Sequence, residues 1–196
     1  MNMLYENNFT MKCLNLSESV EVWFDTVYQH VYNAIVTRIG YSQNKSALMP
    51  FDLFFGKLVE CCWHDRFILE KRYCTQPDFK AYLNNSDGGV DLKVDSKNVS
   101  VKCRGLIYNK DAYFDNGSIK FNRQYIDTEN IIKSLIVNNK CDFIVGAVRY
   151  KTPLYGDWMT VWNNKSVEQL IQITKDIVET QMIWFSTENG NIQIEI

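Results

Sequence analysis

The feature that most constrains the fold is a pair of alternating segments separated by a short polar stretch. The first runs Gly88-Gly89-Val90-Asp91-Leu92-Lys93-Val94, and the second runs Val99-Ser100-Val101-Lys102-Cys103-Arg104. Alternation of apolar and polar residues with a period of two is typical of β-strands, and the intervening Asp95-Ser96-Lys97-Asn98 suits a turn. The sequence therefore predicts a β-hairpin with one apolar face and one charged face.

The expected register pairs Val94 with Val99 and places Asp91 opposite Lys102. One face then carries only apolar side chains, namely Val90, Leu92, Val94, Val99, Val101 and Cys103. The other face carries the polar ones, namely Asp91, Lys93, Ser100 and Lys102. The simplest interpretation is a solvated face, because a cross-strand Asp–Lys pair contributes only about 0.2–1 kcal/mol.

Three further features favour a functional site on this face. The glycines Gly88 and Gly89 let a bulky ligand approach the backbone, Arg104 adds a second cation, and Glu60 lies on a helix upstream of the hairpin. These features predict that the charged end of the hairpin binds a ligand.

The remaining periodicity predicts an α/β (α+β) fold with a central mixed β-sheet flanked by helices and an N-terminal packing helix. The predicted helices are 18–39 (N-cap Ser17 or Ser19, end at Gly40), 51–64, 127–139 and 167–177. Additional strands are predicted at 66–73, 106–114, 143–148, 182–185 and 192–196. Strand 143–148 is apolar on both faces and is therefore expected at the centre of the sheet. In helix 51–64, Gly56 is expected to allow a neighbouring element to approach closely.

A chain of 196 residues is expected to form one domain, with a helical arm at 1–48, a core at 49–150 and a C-terminal extension at 151–196. Its 46% hydrophobic and 22% charged residues exclude disorder, and a net charge of −2 excludes a global positive field. No apolar run reaches the ~20 residues of a membrane span, and no signal peptide is recognisable, so a cytoplasmic location without membrane contact is expected. The six cysteines lack zinc-finger spacing and are expected to be small, reduced, buried residues.

Three segments together resemble the PD-(D/E)XK nuclease superfamily, over roughly residues 56–148. They are Gly56-Lys57-Leu58-Val59-Glu60 on a helix, Gly89-Val90-Asp91 on one strand, and Ser100-Val101-Lys102 on the next. In that superfamily a helix supplies a Glu, a strand supplies an Asp, and the following strand supplies an acid, an apolar residue and a Lys. The resemblance implies a restriction-endonuclease-like core.

The resemblance also implies a metal-dependent endonuclease that cuts DNA, of restriction or phage type, and a homodimer, because cutting a duplex needs two sites. Asp91, Glu60 and the Val101 carbonyl would hold Mg²⁺, with Mn²⁺ as a substitute, since hard cations prefer oxygen ligands. The implied catalytic residues are Asp91, Lys102, Glu60 and Ser100, with Lys102 orienting the attacking water. Contacts with the substrate are expected from Lys93, Arg104, Arg123 and Gln124.

Ser100 departs from the superfamily pattern, which has Asp or Glu at this position. A hydroxyl is a much weaker ligand for Mg²⁺ than a carboxylate, so a second acid is needed, with Glu60 as first choice, Glu129 as second and Asp95 as third. Without such an acid the chain would be a catalytically inactive nuclease-fold module that binds nucleic acid or a protein partner. His64, at the predicted end of its helix, is expected either to reach the site or to interact with the helix dipole, and His30 is expected on a helix surface.

Overall fold

The computed structural model describes residues 11, 14–38, 49–79, 90–106, 114–115, 118–119, 141–150, 165–190 and 192–195. Within these ranges the helices are α1 (Leu16–Arg38), α2 (Met49–Leu69) and α3 (Val167–Thr180). The strands are β1 (Leu92–Val94), β2 (Lys97–Leu106), β3 (Phe114–Asp115), β4 (Ser118–Ile119), β5 (Phe143–Tyr150), β6 (Met182–Ser186) and β7 (Gln193–Glu195).

Five of these strands form one mixed sheet in the order β1-β2-β5-β6-β7. Strand β2 pairs antiparallel with β1 and parallel with β5, whereas β5–β6 and β6–β7 are antiparallel. The expected α+β architecture with a mixed sheet is confirmed. Strand β5 lies in the middle, and its residues 143–149 are buried, as its uninterrupted apolar run predicts.

The hairpin turn contains two residues, Asp95 and Ser96, which have φ values of 48° and 71°. Positive φ at both central positions is the conformation of a type I′ turn, which matches the twist of the flanking strands. Val94 therefore pairs with Lys97, and Leu92 pairs with Val99. The expected Val94–Val99 pairing is wrong, and so is the placement of Asp91 opposite Lys102.

The corrected register extends only to the Leu92–Val99 pair, and beyond it the Asp91 N–H donates to the Val99 carbonyl at 3.0 Å. The corrected register differs from the expected register by two residues, and a shift of two leaves every side chain on its predicted face. Leu92, Val94 and Val99 are accordingly buried, while Lys93 is exposed. The division of the hairpin into an apolar and a polar face is thus confirmed, although its register is not.

Helix α2 is longer than its sequence pattern predicts, and the strand expected at 66–73 is wrong. Residues 67–69 form the last turn of the helix: Phe67 is buried, whereas Ile68 and Leu69 are about half exposed. A short apolar run fits the end of a helix as well as a strand, and here the helix continues because Phe67 packs against Trp63 and Phe143.

Close packing of the backbone occurs at Gly146 rather than at Gly56. A Cβ atom at Gly56 would meet nothing within 4 Å, so the expected close approach is wrong. At Gly146 a Cβ atom would lie 1.9 Å from the carbonyl oxygen of Lys102 and 2.9 Å from Phe185 Cζ. Only glycine fits where β5 runs beside the Lys102 segment of β2.

Helix α1 confirms the predicted N-terminal helix, but its cap differs from the expected one. The Asn15 side chain accepts a hydrogen bond from the Glu18 N–H at 3.2 Å, so Asn15 caps the helix, and Ser17 and Ser19 lie inside it. Helix α3 begins after a capping box formed by Ser166 and Gln169. The predicted helix at 127–139 and the stop at Gly40 lie outside the described residues.

The two longest helices and the sheet share one core. Helix α1 packs against α2 and α3, and α2 packs against β2 and β5. The Trp63 indole N–H donates to the Gly146 carbonyl at 3.2 Å and thereby ties α2 to the central strand. The division into arm, core and extension stays a prediction, although β6 pairs directly with β5. None of the described helices is long and apolar enough to cross a membrane.

Candidate active site

One carboxylate oxygen of Asp91 is contacted by three successive residues of β2. Asp91 Oδ2 accepts hydrogen bonds from the Val101 N–H at 2.6 Å and the Ser100 hydroxyl at 3.1 Å, and it lies 3.8 Å from Lys102 Nζ. The side chains of Asp91 and Lys102 are 17% and 30% exposed, so the pair is partly screened from water. The structure therefore brings together the Asp, Ser and Lys that the two strand motifs predict.

This geometry arises because the ladder between β1 and β2 ends at Asp91. The Asp91 N–H still donates to the Val99 carbonyl at 3.0 Å, but the next N–H along β2 that faces β1, that of Val101, binds the Asp91 carboxylate instead of a backbone carbonyl. In an antiparallel ladder the N–H and the carbonyl of one residue point to the same neighbour. The Val101 carbonyl therefore faces the same edge as Asp91.

Ser100 is fully buried, and its hydroxyl donates to Asp91. The bond forms at the end of the ladder, where Asp91 and Ser100 each lie one residue beyond the Leu92–Val99 pair. Ser100 thus supports the negative charge of Asp91 but adds no negative charge of its own. A second acid has to come from another element.

Glu60, on α2, is the candidate for that acid. Its side chain is buried, with the residue only 4% exposed. Glu60 Oε2 accepts a hydrogen bond from Lys57 Nζ at 2.5 Å, and Lys57 also donates to the Asp78 carbonyl at 2.9 Å. Glu60 Oε1 is buried and has no hydrogen-bond partner within the described part of the chain. Buried oxygens of this kind are usually satisfied by a water or an ion.

The electrostatics connect Glu60 to Asp91. Burial raises the pKa of Glu60 to about 7, the Lys57 ammonium opposes this shift, and the negative charge of Asp91 adds to it. The contribution of Asp91 is smaller than those of burial and of Lys57. The two carboxylates that the resemblance assigns to the metal therefore interact electrostatically.

The residues present fit a hard divalent cation. Asp91 and Glu60 offer carboxylate oxygens and Val101 offers a carbonyl oxygen, the ligand types that Mg²⁺ prefers. All three contacts recorded for Asp91 involve Oδ2, so Asp91 keeps Oδ1 for a ligand. Glu60 Oε2 binds Lys57, and the backbone of Asp78 also hydrogen-bonds to the Glu60 carboxylate. Among the described residues no group of three or more His, Cys, Asp or Glu side chains has metal-site geometry. The ligands that the resemblance implies are two carboxylates and a backbone oxygen.

Asp95, the third choice for the missing acid, is ruled out by its position. It lies in the hairpin turn, away from Asp91, where it pairs with Arg72 at 2.6 Å and accepts a hydrogen bond from the Tyr73 N–H. Hydrogen bonding by Arg72 lowers the pKa of Asp95 below its usual value. The expectation that Asp95 serves the site is wrong. Glu129, the second choice, lies outside the described residues.

The expected substrate-binding residues are only partly within the described ranges. Lys93 is exposed and lies two residues from Asp91 on the same face of the hairpin. Arg104 pairs with Val148 through the β2–β5 register, and its side chain lies outside the described part. Arg123 and Gln124 also lie outside it. Their roles stay predictions.

The sequence motif misses two neighbours of Glu60. Lys57 lies three residues before Glu60 and binds it directly. His64 lies four residues after it, is 5% exposed, and places Nδ1 3.0 Å from Asp65 Oδ1. His64 is in the interior of α2, so its expected position at the helix end is wrong. The spacings of three and four are the signal that both side chains share a helix face with Glu60.

The three buried cysteines of the described residues are poor nucleophiles. Burial raises the pKa of the Cys61 and Cys62 thiols far above neutrality, and it raises that of Cys74 to about 11. A reactive cysteine needs a lowered pKa, since the thiolate is the attacking form. These three fit the expected role of small buried residues, whereas Cys103 and Cys141 are only partly buried.

Comparisons of the chain with protein-family models, with curated proteins and with solved structures gave no match. The resemblance to PD-(D/E)XK nucleases is therefore carried by the residues of this site alone.

Proposed function

We propose that this protein is a divalent-metal-dependent endonuclease that hydrolyses phosphodiester bonds in DNA, with a restriction-endonuclease-like core. The observation that carries the proposal is the convergence of Ser100, Val101 and Lys102 on one oxygen of Asp91. An isolated surface ion pair would not recruit a buried hydroxyl and a backbone N–H at the same time. The ordered carboxylate and the adjacent ammonium are the two groups that such hydrolysis needs.

In this proposal Asp91 and Glu60, with the carbonyl of Val101, would hold the cation, which when bound would neutralise charge on the phosphate and activate water for attack. The two donors on Oδ2 fix the orientation of the Asp91 carboxylate. Lys102, 3.8 Å from Asp91, orients the attacking water and stabilises the charge that develops on the phosphate. Hydrolysis adds the hydroxyl of water to phosphorus, breaks one phosphorus–oxygen ester bond and transfers a proton to the leaving alcohol.

A direct test is cleavage of supercoiled plasmid with Mg²⁺ or Mn²⁺. We expect cleavage by the wild type and its loss in Asp91→Ala and Lys102→Ala. Lys97→Ala is a matched control, because Lys97 lies on the same strand but is half exposed and close to Glu188 rather than Asp91. Activity that survives both active-site substitutions would refute the proposal.

One observation favours a second candidate, an inactive nuclease-fold module that binds nucleic acid or a protein. Ser100 replaces the usual acid and is fully buried, so the site has one fewer negative charge than the superfamily pattern. Calorimetric titration with Mg²⁺ and Mn²⁺ separates the two candidates. Heat of binding that disappears in Asp91→Ala supports the enzyme, and absence of binding in the wild type supports the module.

A further inference from the structure

Three buried polar side-chain atoms on α2 lack a hydrogen-bond partner within the described residues. They are Glu60 Oε1, His64 Nε2 and Arg66 Nε, and the residues Glu60 and His64 are only 4% and 5% exposed. A spacing of four residues places the side chains of Glu60 and His64 next to each other on one helix face. Leaving a buried polar group unsatisfied costs about 1–3 kcal/mol, so two of them side by side indicate a missing occupant.

The hydrogen-bond network indicates which nitrogen of the neutral His64 ring carries the proton. The Asp65 carboxylate accepts from the Ser19 hydroxyl at 2.7 Å and from the Trp23 indole N–H at 2.9 Å, both on Oδ2. Its other oxygen, Oδ1, lies 3.0 Å from His64 Nδ1. An ionised carboxylate only accepts, so Nδ1 carries the proton and donates. In the neutral ring, Nε2 is then an acceptor with a free lone pair.

The side chains of His64 and Glu60 are each also bound by a neighbouring residue through their other polar atom. Asp65 binds the far nitrogen of His64, and Lys57 binds the far oxygen of Glu60. A histidine that ligates a metal almost always donates its other N–H to a carboxylate or carbonyl, and ligating carboxylates are themselves hydrogen-bonded. The Trp23 ring packs edge-on against His64, with centroids 5.8 Å apart, and covers it with an apolar surface.

We propose that His64 Nε2 and Glu60 Oε1 bind a first-row transition-metal dication. An imidazole ligand favours such ions over Mg²⁺, which prefers oxygen alone. This inference deepens the proposed function by naming the class of metal, and it rests on that proposal because Glu60 belongs to both ligand sets. Asp91, Glu60 and His64 do not form a three-residue group with metal-site geometry within the described residues, so His64 and Glu60 would hold the ion as a pair. The preferred cofactor of the site is then a transition-metal ion such as Mn²⁺ rather than Mg²⁺.

The test uses Mn²⁺ as the probe and does not depend on catalysis. Pulsed electron paramagnetic resonance detects the nuclear modulation of a nitrogen bound to Mn²⁺, and it distinguishes ¹⁴N from ¹⁵N. The chain has two histidines, His30 and His64. We expect ¹⁴N modulation in the wild type, a switch to ¹⁵N modulation after labelling with [¹⁵N]histidine, loss in His64→Gln and retention in His30→Gln. The isotope substitution needs no mutation, so it remains decisive even if His64→Gln fails to fold.

A second variant tests the supporting carboxylate. Asp65→Asn removes the negative charge and replaces one of the two acceptor oxygens with an N–H donor while keeping the shape of the side chain, and we expect it to weaken Mn²⁺ binding by about 10–100-fold. Unchanged affinity in Asp65→Asn, or Mn²⁺ bound without nitrogen modulation, would overturn the inference. Bound Mn²⁺ without nitrogen modulation would leave the Asp91–Glu60 site standing, whereas nitrogen modulation without DNA cleavage would support the metal site and refute the nuclease.

Discussion

Replacing Glu60 by Gln should change how the stability of the metal-free protein depends on pH. Burial raises the pKa of Glu60 from its ordinary 4.5 to about 7. The folded protein then binds a proton more tightly than the unfolded chain. This contribution to stability is fully present below pH ~4.5 and is lost as the pH rises towards 7.

The magnitude follows from the size of the shift. One pKa unit corresponds to 1.36 kcal/mol, so a rise from 4.5 to about 7 makes ionisation of Glu60 cost about 3 kcal/mol of stability. Gln has nearly the same shape and does not ionise. The free energy of unfolding of the wild type, relative to Glu60→Gln, should therefore fall by about 3 kcal/mol between pH 4.5 and 8.

Urea unfolding at several pH values in the presence of a chelator measures this difference. The attraction of Lys57 for the ionised form of Glu60 is already contained in the raised pKa, so the change with pH is the informative quantity. Glu70→Gln is a suitable control, because Glu70 is near the end of the same helix but exposed. A difference between wild type and Glu60→Gln that varies by less than about 1 kcal/mol across the range would refute the reasoning.

Three further substitutions test the packing that positions the site. Gly146→Ala should destabilise by about 3 kcal/mol or more, because its Cβ would clash with the Lys102 carbonyl, and a loss under about 1 kcal/mol would contradict this. Gly56→Ala serves as the control, because a Cβ atom at this position in α2 would meet nothing within 4 Å, and it should instead stabilise the protein by about 0.5–1 kcal/mol. Trp63→Phe removes the hydrogen bond to the Gly146 carbonyl and should cost about 1–3 kcal/mol in urea unfolding, whereas no measurable loss would contradict its role.

The hairpin shows which aspects of the fold its sequence could predict. The two faces followed from alternation alone, and they survive because the register error is two residues. The register depended on the turn, and a type I′ turn at Asp95-Ser96 lacks the usual glycine, so nothing in the sequence indicated the positive φ values. The edge-on packing of Phe67, in the last turn of α2, against Phe143 is likewise a tertiary effect, which the local sequence pattern does not contain.

The candidate site was predictable where its residues lie on one hairpin. Asp91, Ser100 and Lys102 are close in sequence and share a face, so alternation was enough to bring them together. The position of Glu60 relative to the hairpin depends on how α2 packs against β2, which short motifs do not determine. The roles of Lys57 and His64 depend on hydrogen bonds to Asp78 and Asp65, which become visible only in the folded chain.

The measurement that tests the central claim most directly is the rate of DNA cleavage as a function of metal concentration, for the wild type and for Glu60→Gln. If Glu60 supplies the acid that Ser100 lacks, cleavage by the wild type should depend on the metal and saturate. Glu60→Gln should then lose at least about 100-fold in rate at the same metal concentration. Cleavage that Glu60→Gln retains at the wild-type rate and metal dependence would contradict the account.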